Sequence, residues 1–264
     1  MRRGLAYALA LSLWALVAGG AGACTVDPAS QTAYPASLTV DPDTGGAVAR
    51  AWFDDPVTRY RHFVLGRQHE PETLWVDAPG NRGLCGHALT LERDHVFEDV
   101  APRLADLDGD GTNEVIVARS HRQLGAQLAV YRWSGTELVL AATTPYIGRP
   151  HRWLAIVGAA DLDRDGRVEI AYVDRPHLAR TLRVWRYQDG TLTEVAAVAG
   201  LTNHRIGEGW ISSALRDCAT GPEILTADTD WSRLLATRLD GNRLVSRDLG
   251  PWSPDRLAAA LTCR

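Results

Sequence analysis

The chain has 264 residues, a formal net charge of −4 and four cysteines. Its basic side chains are all arginine, and the mild acidity argues against nucleic acid as a partner. The cysteines form no C-x-x-C pair, which argues against a zinc or thioredoxin-type site.

Residues 1–23 read as a signal peptide. Arg2 and Arg3 form a basic start, Leu5 to Val17 is apolar and uncharged, and Ala21-Gly22-Ala23 is a small-residue cleavage site. The apolar run is short for a membrane span. The chain is therefore expected to be exported, to the periplasm or cell envelope. Cys24 follows directly. The segment resembles a bacterial lipoprotein signal, with Ala21 in the place usually held by Leu, so lipidation of Cys24 and ordinary secretory cleavage both fit. That lipid would be the only link to a membrane. In an exported chain disulfides are expected, and Cys85, Cys218 and Cys263 are candidates. An unlipidated Cys24 allows two bridges and leaves three connectivities open; a lipidated one leaves an odd cysteine.

Residues 24–46 read as a tether or lead-in rich in Pro, Ala, Ser and Thr, with a short strand at Ser37 to Val40. From residue 47 to 264 the pattern is of short strands between turn signals. A degenerate first unit spans 51–96, with strands expected at Arg61 to Leu65, Thr73 to Val76 and His87 to Leu91. The unit over 97–150 is the clearest. Its first strand ends at Asp106, and Asp106-Leu-Asp-Gly-Asp-Gly-Thr-Asn-Glu114 follows. Strands at Glu114 to Arg119, Gln127 to Trp133 and Glu137 to Ala141 complete it. The unit over 151–208 repeats the order, with Asp161-Leu-Asp-Arg-Asp-Gly-Arg-Val-Glu169 as its loop. The unit over 209–250 keeps only Asp217 and Glu223, after a strand expected at Trp210 to Ala214. Ser253-Pro254 opens a short helix to Leu261.

Units of about 55 residues with four strands each imply an all-β chain folded as a small β-propeller of about four blades. A four-stranded blade cannot bury both faces alone, so neighbours must cover it. Ring closure is expected through a strand from residues 25–50 beside the last blade, or through the tail near Cys263.

The acidic loops resemble those of the FG-GAP/VCBS repeat family, the blades of integrin-α-like propellers. Phe97, Trp153 and Trp210 stand at the aromatic position upstream of each loop. The resemblance implies bound calcium, two ions in a structural role, between the first and second strands of two blades. Calcium takes hard oxygen ligands. The first loop offers Asp106, Asp108, Asp110, the Thr112 carbonyl and Glu114. The second offers Asp161, Asp163, Asp165, the Arg167 carbonyl and Glu169. An EF-hand is excluded because Val117 and Tyr172 occupy the position of its bidentate glutamate.

In a four-stranded meander these loops share one face with the third-to-fourth-strand turns. The opposite face gathers Arg119, His121, Arg122, His151, Arg152, Trp153, His177, His204, Arg205 and Trp231. Arginine, histidine and aromatic side chains suit an anionic glycan or an acidic protein surface. The expected role is a calcium-stabilised, non-enzymatic binding or scaffold module. Two alternatives are a polysaccharide lyase or hydrolase using these His and Arg residues, and a structural subunit of an envelope assembly. No nucleophile elbow, H-E-x-x-H or phosphate loop is present.

Overall fold

The structure, a computed structural model, describes residues 28–41, 47–80 and 83–263. The expected signal peptide and Cys24 lie outside these residues. Antiparallel sheets follow one another along the chain. The first holds β1 (Thr39–Val40), β2 (Arg50–Val57), β3 (Glu70–Gly80) and β4 (Gly83–Thr90) in that order. In the second, β5 (His95–Phe97) and β6 (Arg103–Ala105) both pair with β7 (Glu114–His121), followed by β8 (Gly125–Trp133) and β9 (Leu138–Thr143). The third is β10 (Leu154–Ala160), β11 (Glu169–Asp174), β12 (Thr181–Gln188) and β13 (Thr191–Ala199). In the fourth, β14 (Leu201–Thr202) and β15 (Ala214–Cys218) pair with β16 (Gly221–Asp228), followed by β17 (Arg233–Asp240) and β18 (Arg243–Pro251). Helix α1 (Pro254–Leu261) ends the chain, with the Ser253 side chain accepting from Arg256 N–H as its cap. This is the all-β, small-propeller arrangement that the repeat implies.

Burial explains why the middle strands are apolar on both sides. Every residue of β11 is buried, as are nearly all of β8. Side chains alternate between faces. Val115, Val117, Ala129 and Tyr131 pack toward the first sheet with Phe53 and Leu74. Ile116, Ala118, Leu128 and Val130 pack toward the third with Ile170 and Tyr172. Ala171, Val173, Leu182 and Val184 then meet Ile224 and Leu239 of the fourth. The far side of the fourth sheet, Leu225, Leu234 and Ala236, is covered by Leu257 and Ala260 of α1.

Three expectations need correction. Among the described residues no strand is exchanged with the last sheet. β1 pairs with its chain neighbour β2, a short loop being cheaper to close than a long one. The tail instead forms α1, tied to its own sheet by the Cys218–Cys263 disulfide. Cys85 is also disulfide-bonded.

Residues 61–65 are not a strand. They belong to the long loop between β2 and β3, and Val64 and Leu65 are buried in the cluster between the second and third sheets. The first sheet uses Ala51, Trp52 and Phe53 instead, all fully buried in β2. The Asp54-Asp55-Pro56 run, a breaker signal in sequence, lies within that strand.

The fourth-sheet strand expected from Trp210 begins at Ala214 instead, and Leu201–Thr202 joins that sheet ahead of it. Residues 217–223 form no open loop, only a hairpin turn at 219–220 between paired strands. With its central aspartates missing, nothing there repels and the hairpin closes tightly.

Two glycines permit backbones to cross on the face opposite the acidic loops. Gly66 has φ +72, and a Cβ there would stand 2.3 Å from Gly207 O. Gly125 has φ +75, and its Cβ would stand 2.3 Å from Arg149 O and 2.8 Å from Arg152 O. Gly207 N–H donates to Val64 O at 2.8 Å, so the β2–β3 loop reaches the connection between the third and fourth sheets.

Candidate metal centre and ligand face

The two acidic loops fold alike. In the first, Asp106 accepts from Gly109 N–H at 2.8 Å and Gly111 N–H at 2.9 Å. Asp110 accepts from Thr112 N–H at 2.7 Å, and Glu114 from Leu107 N–H at 2.9 Å. In the second, Asp161 accepts from Asp165 N–H at 3.1 Å and Gly166 N–H at 2.9 Å. Asp165 accepts from Arg167 N–H and Glu169 from Leu162 N–H, both at 2.9 Å. These bonds curl each loop so that carboxylates converge. Asp106, Asp108 and Glu114 offer oxygens within 4.8 Å of one another, as do Asp161, Asp163 and Glu169. Asp110 and Asp165 are exposed beside these sets, Thr112 is half-buried and Arg167 exposed.

The loops differ in their counter-charges. Glu114 is buried, and burial pushes its carboxyl up to about 7, with repulsion from Asp108, Asp110 and Asp106 adding. Arg132, on the strand beside it, points to solvent. A hard divalent cation fits this set: all donors are oxygen, and a cation relieves the repulsion. In the second loop a protein group already stands there. Arg186, paired across the ladder with Glu169, reaches Glu169 at 2.6 Å, Asp163 at 3.0 Å and Asp165 at 3.1 Å. In the fourth sheet Glu223 is held by two arginines. Arg216 and Arg247 meet it at 2.5 and 2.7 Å. Burial would raise its pKa, but their hydrogen bonds hold it below the ordinary carboxylate range. Among the described residues the equivalent buried glutamates thus carry no arginine, one, then two.

Residues 106–172 match the family model of the FG-GAP-like repeat. The matched span opens on Asp106 and runs through both acidic loops into β11. No curated protein matches the chain. The FG-GAP-like repeat thus covers the two loops whose carboxylates converge, and leaves out the arginine-filled position at Glu223.

On the opposite face, six of the eight histidines meet in pairs. His62 stacks on His151 with ring centroids 5.2 Å apart. His177 and His204 are 5.1 Å apart, and His95 and His121 4.9 Å. The last pair shares Asp94, at 2.6 Å from His95 and 3.0 Å from His121. The buried Glu98 fixes His62 Nδ1 at 2.6 Å. A cleft of about 210 Å³ lies among His62, His151, Arg152, Trp153, Arg175 and His177. His151 and Arg175 hold φ +53 and +46 there, a backbone cost that non-glycine residues bear at over-determined sites.

The structure brings His151, Arg152, Trp153 and His177 together in this cleft, with His204 packed directly behind them, and disperses the other expected ligand-face residues. Trp153 is buried, its Nε1 donating to Glu98 O at 2.6 Å. His204 is buried behind His177. Arg119 is half-buried and reaches the Tyr131 hydroxyl at 3.4 Å. His121 and Arg122 stand at the β7–β8 turn, away from the cleft lining. Arg205 stacks between Trp231 and Trp252, at 4.0 and 4.8 Å from their ring centroids. Trp210, grouped by sequence with the buried Phe97 and Trp153, is instead 60% exposed. Sequence reasoning missed His62 and Glu98. Pro56 and Gly66 bracket His62 and mark its segment as a loop.

Burial pushes His177 down to about 4, with His204 and His62 beside it adding. The unfolded chain binds this proton near 6.5, so the neutral ring contributes stability above that pH. The contribution is lost as pH falls from 6.5 toward 4. The His177 ring should therefore titrate near pH 4 by NMR, and His177→Asn should flatten the acid side of the Tm–pH curve. A midpoint near 6.5 contradicts the burial.

Proposed function

We propose that the protein is an exported, non-enzymatic binding or scaffold module, stiffened by calcium at its acidic loops, that engages a protein or anionic glycan through the opposite face. The observation that carries this reading is the division of labour between faces. Carboxylates converge on one side, within the FG-GAP-like repeat. Histidine, arginine and strained backbone gather round a cleft on the other. The disulfide favours an oxidising compartment. Among the described residues no helix is long and apolar enough to cross a membrane. The first loop fills with calcium before the second, where the ion must displace Arg186.

The test is ligand capture. A glycan array and a pull-down from envelope extract are run with the natural chain and with Arg152→Ala/Arg175→Ala. A ligand retained by the first and lost by the second, at unchanged Tm, supports the cleft. Equal capture by both rejects it. A second reading as an enzyme rests on Glu98 and His62. A buried carboxylate holding one imidazole nitrogen leaves the other available as a base. Turnover of any polysaccharide in such a screen, abolished by His62→Ala, would replace the non-enzymatic reading.

A further inference from the structure

The ligand face carries a second feature around its cleft. Phe63, Leu124, Leu178, Ile206 and Trp210 are 43%, 40%, 63%, 73% and 60% exposed. They come from four separate loops of this face. Leu178 and Ile206 edge the cleft with His62 and His151. Gly207 N–H donates to Val64 O, and Gly148 N–H to Leu124 O, both at 2.8 Å.

Charge says what kind of surface it meets. The loops of this face (58–69, 91–95, 121–125, 144–153, 174–180, 203–213 and 229–232) hold ten arginines against five carboxylates. The loops of the opposite face (106–113, 134–137, 161–168, 189–190, 219–220 and 241–242) hold eight carboxylates against two arginines. In a chain of net charge −4, the apolar tips are thus set within the positive side.

We infer that this face docks on an anionic phospholipid surface, the apolar tips entering between headgroups and the arginines meeting phosphates. The inference rests on the reading of this face as the binding face and adds a lipid surface to the ligand of its cleft. A protein partner needs a contiguous, shape-matched apolar core. Here the apolar groups stand on separate loops, with Arg122 and Arg180 each two residues from Leu124 and Leu178. That spacing suits a fluid layer which takes each tip independently and draws basic residues by its surface potential.

The experiment is vesicle flotation of the full chain with phosphatidylcholine alone and with phosphatidylcholine containing phosphatidylglycerol. Any contribution from the N-terminal segment is common to all variants, so their comparison decides. The expected result is binding to the anionic vesicles only, weakened by salt. Leu178→Ser/Ile206→Ser should lower it by about tenfold or more, and Leu140→Ser, on β9, should leave it unchanged. All variants must keep the parent Tm. No flotation, equal flotation with both vesicles, or equal binding by the double variant overturns the lipid assignment. If the same double variant floats normally while Arg152→Ala/Arg175→Ala loses a captured glycan or protein, the binding face stands and only its lipid partner fails.

Discussion

Calcium should bind the protein in two unequal steps, and the Arg186→Met variant should make them equal. The first step fills the Asp106–Glu114 loop, where no arginine answers the buried Glu114. At a hundredfold excess over its Kd, a ligand that binds only the folded state adds about 2.7 kcal/mol. For a chain of this size that raises Tm by roughly 5–10 °C, and chelator should remove the gain. The second step requires Arg186 to leave Glu169, Asp163 and Asp165. Without calcium, Arg186→Met leaves Glu169 buried and uncompensated and should cost about 2–4 kcal/mol. With calcium, the vacated carboxylates take the ion and the loss is recovered. Titration calorimetry and thermal unfolding in calcium and in chelator read both effects. Two equal sites in the natural chain, or no gain of affinity in Arg186→Met, would show that Arg186 does not compete.

Gly125→Ala should destabilise the protein by roughly 3–5 kcal/mol, while Gly148→Ala should cost about 1 kcal/mol. Both glycines have positive φ, +75 and +92. Only at Gly125 does a methyl group meet backbone, with carbonyl oxygens of Arg149 and Arg152 at 2.3 and 2.8 Å; at Gly148 nothing lies within 4 Å. The difference between the two measures close approach apart from conformational strain. Because the crossing holds His151 and Arg152 at the cleft, any Gly125→Ala protein that folds should also lose ligand capture. Denaturant unfolding of both variants checks the ordering. Equal costs would mean that the connection can move aside freely.

The middle of the fold is legible in the sequence because two physical signals agree there. The 55-residue spacing of Glu114 and Glu169 sets the repeat, and apolar runs such as Val115-Ile-Val-Ala118 set the strands. β10 and α1 fall where the pattern puts them. The first sheet is legible only in part: the strands expected at Thr73 to Val76 and His87 to Leu91 fall in β3 and β4, but Asp54-Asp55-Pro56 looks like a break while Val64 and Leu65 look like a strand. In fact they are a buried loop apex. The acidic loops are legible as candidate metal ligands because their donors are local in sequence. Arg186 is not, because only the register across the ladder places it opposite Glu169. The pairing of His62 with His151 is equally hidden, since it joins loops of different sheets 89 positions apart in sequence.

The helix that covers the fourth sheet has a consequence for assembly. Each sheet buries one face of the next, so the last in the series leaves a face to be covered. Here Leu257 and Ala260 take the place that a further sheet would fill. The disulfide to Cys218 and the bond from Arg216 to Ala260 O at 2.7 Å pin that helix to the sheet it covers. The chain therefore carries its own terminator. A duplicated unit inserted ahead of the fourth sheet would find neighbours on both sides, whereas one appended behind α1 would find the docking face already taken.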